Sequence, residues 1–126
     1  MGSDERRELG RYGERVAANY LALRGWRVLE RNWRCRFGEI DLVAQPEPGS
    51  VVFVEVKTRS GDICGAGEEA VTPAKLARLR RLAGIWLEER GGARPAARID
   101  VIAVNTGGGR GRSLRHYENV GWGAGE

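Results

Sequence analysis

The stretch that most constrains this chain is IDLVAQPEPGSVVFVEVK, residues 40–57, in which two apolar runs flank a Pro/Gly turn. Asp41 lies inside the first run, and Glu55 and Lys57 lie inside the second. Runs rich in Val and Ile on either side of such a turn predict a β-hairpin, so the fold has to hold both strands in one sheet. An ionised carboxylate buried without a partner is strongly destabilising, so a strand as apolar as VVFVEV needs something to meet the charge of Glu55.

Side chains alternate across a strand. Glu55 and Lys57 therefore share one face, about 7 Å apart along it, and Val52, Val54 and Val56 take the other. A hairpin closed across its turn brings Asp41 near Glu55, and two converging carboxylates repel unless a cation lies between them. Oxygen donors suit Mg²⁺, which takes one or two carboxylates and accepts phosphate oxygens from a substrate. A lysine beside such an ion can orient water or stabilise charge developing on phosphorus, an arrangement suited to phosphodiester hydrolysis. The residues alone leave two readings open: this metal site, or a half-exposed hairpin whose charged face meets water.

The rest of the chain reads as one α/β domain. At 126 residues it is long enough for a single core, and it has no run of about 18 apolar residues that would span a membrane. The start MGSDERRELG is polar where a signal peptide would be apolar, so the expectation is a cytoplasmic protein. Residues 1–8 read as a polar extension, residues 9–104 as the domain, and residues 105–126 as a glycine-rich loop and tail that can add an edge strand at LRHYENV. Within the domain, Tyr12, Val16, Tyr20 and Leu23 recur at helical spacing over 9–24, with Gly25 closing the helix and Glu14 at the margin of its apolar arc. WRVLER, 26–31, alternates as a strand, and 32–36 read as a basic turn before the hairpin. TRSGDICGAGEEA, 58–70, is a loop of the length that often lines a site. Thr72 and Pro73 cap a second helix with Leu76, Leu79, Ala83, Trp86 and Leu87 as its stripe, and RIDVIAV, 98–104, is a buried strand. This order predicts a mixed sheet flanked by helices, with a crossover helix before the last core strand.

The net charge of +4 permits a polyanionic partner without requiring one. Of 21 basic residues only Lys57 and Lys75 are lysines, which marks Lys57 as a place where a compact ammonium is wanted. Arg34 and Arg36, with Trp33 interleaved, form a candidate nucleic-acid patch beside the hairpin, and Lys75 and Arg78 are candidate phosphate contacts on the second helix. Asp100 reads as the structural partner of a buried arginine rather than a further acid. The single histidine, His116, falls in a stretch expected to be poorly ordered, which argues against zinc and against a Ser/His/Asp arrangement. Cys35 and Cys64 read as free thiols.

Five blocks then carry a family likeness: GRYGERVAANYL, RNWRCRFGEIDLVA, VVFVEVKTR, AVTPAKLARL and RIDVIAV, in that order between residues 10 and 104. Together they resemble the YraN-like family of uncharacterised bacterial proteins, within the PD-(D/E)xK, restriction-endonuclease-like superfamily, with a likeness to archaeal Holliday-junction resolvases. The resemblance implies an αβββαβ core and divalent-metal nuclease chemistry. It matches Asp41 to the motif aspartate, Glu55 and Lys57 to the (D/E)xK part, and Glu14 to the first-helix glutamate of resolvase-type members. Ile40 stands where the motif's name has proline.

The resulting expectation is a Mg²⁺- or Mn²⁺-dependent nuclease-like protein acting on DNA. Asp41 and Glu55 would hold the metal with the Val56 backbone carbonyl, Lys57 would position water, and Glu14 would assist or hold a second ion. Two rivals stand beside it, a nucleic-acid-binding module that does not cut and a scaffold that docks a protein. Symmetric cutting of a branched junction would call for a homodimer, on which one sequence is silent.

Overall fold

The structure, a computed structural model, describes residues 2–60, 71–91, 95–107 and 112–121. Its elements run α1 (Ser3–Leu23), β1 (Arg27–Cys35), β2 (Gly38–Gln45), β3 (Ser50–Arg59), α2 (Pro73–Glu89), β4 (Ala96–Asn105) and β5 (Ser113–Tyr117). The five strands form one sheet in sequence order. All neighbours are antiparallel except β3 and β4, which pair in parallel around the α2 crossover. The expected αβββαβ core is therefore present, with β5 added as the edge strand.

Because β3 is central and covered on both faces, its sequence reads as a nearly unbroken apolar run. Val52 and Val54 pack with Leu42, Ala44 and Ile102 against Ala17, Ala18 and Leu21 of α1. Val51 and Phe53 pack with Ile40, Val43 and Ile99 against Leu79, Leu82, Ala83 and Trp86 of α2. Thr72 Oγ1 accepts from the Lys75 N–H at 3.1 Å, the cap expected ahead of Pro73. At the other helix, Gly25 (φ 89°) lets its N–H reach the Ala22 carbonyl while Trp26 N–H reaches that of Leu21. This Schellman closure seats Trp26 beside Leu21 in the core.

Four expectations are corrected. The polar extension is the first turns of α1, which starts at Ser3 with Asp4 and Glu5 placed where acids favour a helix N-terminus. Leu23, expected on the apolar stripe, is 89% exposed because the small residues Gly13, Ala17 and Ala18 face the sheet instead. Of the basic turn expected at 32–36, residues 32–35 are the second half of β1 and only Arg36 lies in the turn; Asn32 (φ 53°) is a local left-handed kink that asparagine tolerates. His116 is an ordered residue of β5, opposite Ile102. The glycine-rich loop expected to line a site lies, at 61–70, outside the described residues, as do Cys64 and parts of the tail. Among the described residues no helix is long and apolar enough to cross a membrane.

Candidate functional site

Gly13 is where α1 comes closest to the sheet: a Cβ there would sit 1.9 Å from Thr58 Oγ1. This close crossing sets the next residue, Glu14, against the same end of the sheet as Asp41. The β2–β3 ladder stops at the Leu42–Val54 pair. Beyond it, the Val56 N–H donates to Asp41 Oδ2 at 2.8 Å, so a side chain satisfies the buried amide after the ladder ends. Carboxylate oxygens of Glu14, Glu39 and Asp41 all lie within 4.8 Å of one another.

Such a cluster opposes its own ionisation. Burial raises the pKa of Asp41 most, the charges of Glu55, Glu14 and Glu39 raise it further, and the Val56 amide only partly offsets them, leaving it at about 7. Glu14 is also raised, first by burial and then by Glu39, against a lowering hydrogen bond from Asn32. The left-handed backbone of Asn32 thus serves the site. Three converging carboxylates, of which Asp41 and Glu14 hold protons more tightly than usual, are a donor set for a hard divalent cation.

The carboxylate within VVFVEV is met differently. Glu55 Oε2 lies 3.2 Å from Lys57 Nζ and 2.8 Å from Lys75 Nζ. The only two lysines of the chain therefore converge on one carboxylate oxygen. Burial and the neighbouring Lys75 lower the pKa of Lys57, whereas for Lys75 burial is outweighed by the hydrogen bonds to Glu55 and Lys57 and the charge of Glu55 taken together, which raise it. The two ammoniums on one carboxylate oxygen are thus pushed in opposite directions.

The structure thus brings together Glu14 and Asp41, with Glu39 as a member the sequence reading missed, and sets Glu55 and Lys57 beside them with Lys75. Glu39 stands next to the matched aspartate motif in GEID, but nothing in its spacing marked it. Val56 touches the cluster through its N–H. Lys75, expected at a phosphate, is engaged with Glu55. Arg34 pairs with Glu39 at 3.4 Å and so ties the basic turn to the acidic cluster. Arg78 is exposed on α2, its side chain alongside Gly38. Trp33 does not interleave with the arginines: its register opposite Ile40 turns it inward onto the α2-side core. The exposed aromatic is Phe37, with the guanidiniums of Arg36 and Arg81 4.9 and 4.0 Å from its ring centre.

Asp100 is the structural partner expected of it. Fully buried on β4, it accepts from Arg98 Nε at 3.0 Å and from the Asn119 N–H at 2.8 Å, and it lies 2.7 Å from His116 Nε2. His116 Nδ1 lies 2.8 Å from the Tyr20 hydroxyl of α1, so the histidine fastens the edge strand to the first helix. Hydrogen bonds from His116 and Arg98 hold Asp100 below the usual carboxylate range although burial pushes the other way.

Comparison with known proteins places the chain among relatives that carry the same fold-length sequence. A family model described as "Uncharacterised protein family UPF0102" matches residues 13–104. A UPF0102 protein of Mycolicibacterium gilvum is 52% identical over 120 residues, covering 94% of this chain and 98% of its own. That of Mycolicibacterium smegmatis is 52% identical over 122 residues, covering 96% and 98%. A UPF0102 protein of Mycobacterium tuberculosis is 49% identical over 118 residues, covering 90% and 92%. These matches are consistent with the resemblance carried by the five sequence blocks.

Proposed function

The chain belongs to the uncharacterised protein family UPF0102, and on that premise we propose that it is a divalent-metal-dependent nuclease that hydrolyses DNA phosphodiester bonds. The observation that carries this reading is the meeting of the Glu14, Glu39 and Asp41 carboxylates beside a glutamate held by two lysines. Glu14, Glu39 and Asp41 would hold Mg²⁺ or Mn²⁺, with Asp41 oriented by the Val56 amide. Both lysines use Glu55 Oε2, and we assign Oε1 to the same ion. When bound, the ion supplies charge neutralisation and Lewis-acid activation of water. Lys57, with its lowered pKa, exchanges a proton with the attacking or leaving oxygen, and Lys75, with its raised pKa, stays cationic beside Glu55. Arg34, Arg36 and Arg78 border the site as phosphate contacts.

The test is cleavage of end-labelled single-stranded, duplex, flapped and four-way-junction DNA with Mg²⁺, Mn²⁺ or chelator. Cutting that needs the ion and falls at least about a hundredfold in Glu55→Ala and Asp41→Ala supports the reading. Salt-sensitive binding without cutting, the same in both variants, would leave a binding module on a nuclease fold. Neither binding nor cutting would favour a protein-docking role.

A further inference from the structure

The turn between β1 and β2 is two residues long, Arg36 and Phe37, since Cys35 and Gly38 are already paired. Hairpin turns this short favour Gly, Asn or Asp, which relieve backbone strain and suit solvent. Here the left-handed backbone is left to Gly38, at φ 144°, and the turn itself carries a guanidinium and an aromatic ring. Phe37 is 38% exposed, one of two large hydrophobic side chains at the surface among the described residues. Leu82 and Arg78 of α2 pack beneath the turn at Gly38, next to the exposed ring. The guanidiniums of Arg36 and Arg81 lie against the ring. Lys75, Arg78 and Arg81 follow at three-residue steps along α2, so the ring stands about 9 Å along the helix from the lysine that holds Glu55.

We propose that Phe37, flanked by Arg36 and Arg81, is a stacking platform for one unpaired base, which makes the substrate a single strand, a flap or an open branch rather than continuous duplex. This rests on the nuclease reading and names its substrate class. An aromatic face accepts any exposed base, and base-paired, stacked bases do not offer theirs. The guanidiniums that lie over the ring in the free protein give way to the base and swing to the phosphates on either side of it, a stack-or-pair exchange that lysine point charges would not make. Trp33, the aromatic that the sequence places among the arginines, is turned into the core and leaves this role to Phe37.

The experiment measures, on the full-length protein, anisotropy of labelled single-stranded and blunt-duplex DNA and the fluorescence of 2-aminopurine placed in the single strand. Phe37→Ala should weaken single-strand binding about tenfold, change duplex binding less than about twofold, and abolish the quenching of 2-aminopurine. Phe37→Trp should restore both signals, and the melting temperature of each variant checks that the fold is kept. Equal losses on the two DNAs, or quenching that survives Phe37→Ala, overturn the platform and leave the nuclease reading intact. A wild-type protein that binds neither DNA overturns both.

Discussion

Asp41 and Asp100 are two aspartates removed from solvent on strands of one sheet, and their surroundings drive them in opposite directions. For both, burial is the largest single influence and favours the neutral acid. Asp100, the more deeply buried, is met by His116, Arg98 and the Asn119 amide, and its charge is held. Asp41 faces Glu55, Glu14 and Glu39 with one amide in its favour, and its charge is opposed. Depth does not decide the outcome; the company does. Asp100 is completed by the protein, whereas the Asp41 cluster keeps a surplus of negative charge, which the proposed divalent ion would offset.

The sharpest way to break the contrast is Asp100→Asn, which leaves Arg98 and His116 facing a neutral amide. Unfolding by urea should show a loss of about 3–5 kcal/mol, and a loss near zero would make Asp100 as dispensable as a surface acid. Next in size is a divalent ion added to the wild-type protein. Mg²⁺ at a hundredfold its dissociation constant should stabilise by about 2.7 kcal/mol in a thermal melt, with no gain in Asp41→Asn. Gly13→Ala forces α1 off Thr58 and carries Glu14 with it, and should destabilise by about 2 kcal/mol while weakening the Mg²⁺ effect. A cost without change in the ion's effect would separate the crossing from the site.

The smallest effect tests the sign of the contrast. A carboxyl whose folded pKa is raised favours folding less as pH climbs from its unfolded value, near 3.8, through its folded value of about 7. Asp41→Asn should therefore stabilise by about 1 kcal/mol at pH 8, after the weaker bond from the Val56 N–H to a neutral amide oxygen is counted, and the gain should vanish near pH 4. Asp100 behaves oppositely: its contribution is present above its unfolded value and is lost as pH falls through its lowered folded one. Melting temperatures of the two Asn variants across pH should diverge toward high pH.

Much of the frame was legible because it is written locally. The hairpin, the Thr72–Pro73 cap and the RIDVIAV strand follow from period, turn chemistry and capping within a few residues of one another. The catalytic candidates Asp41, Glu55 and Lys57 stood out as charges inside apolar runs, and Glu14 through the family likeness. What escaped depends on pairings distant in sequence. Lys75 reaches Glu55 across the crossover, and His116 is ordered by Asp100 and Tyr20. The choice between Trp33 and Phe37 as the exposed aromatic depends on the register of β1 against β2. Asn32 read as the start of a turn because its preference is real, but the strand runs through it.

The helices lie on opposite faces of the sheet, and each sends a residue to the same end of it. Glu14 arrives with α1 and Lys75 with α2, while Asp41 and Glu55 wait on the strands between. A chain emerging during synthesis can close its hairpin early, yet Glu55 gains Lys75 only after α2 has docked, and α2 docks against a layer that includes Ile99 of the later strand β4. Completion is thereby written into the ion pairs: a truncated or half-made copy holds Glu55 against Lys57 alone, without the second ammonium that α2 supplies.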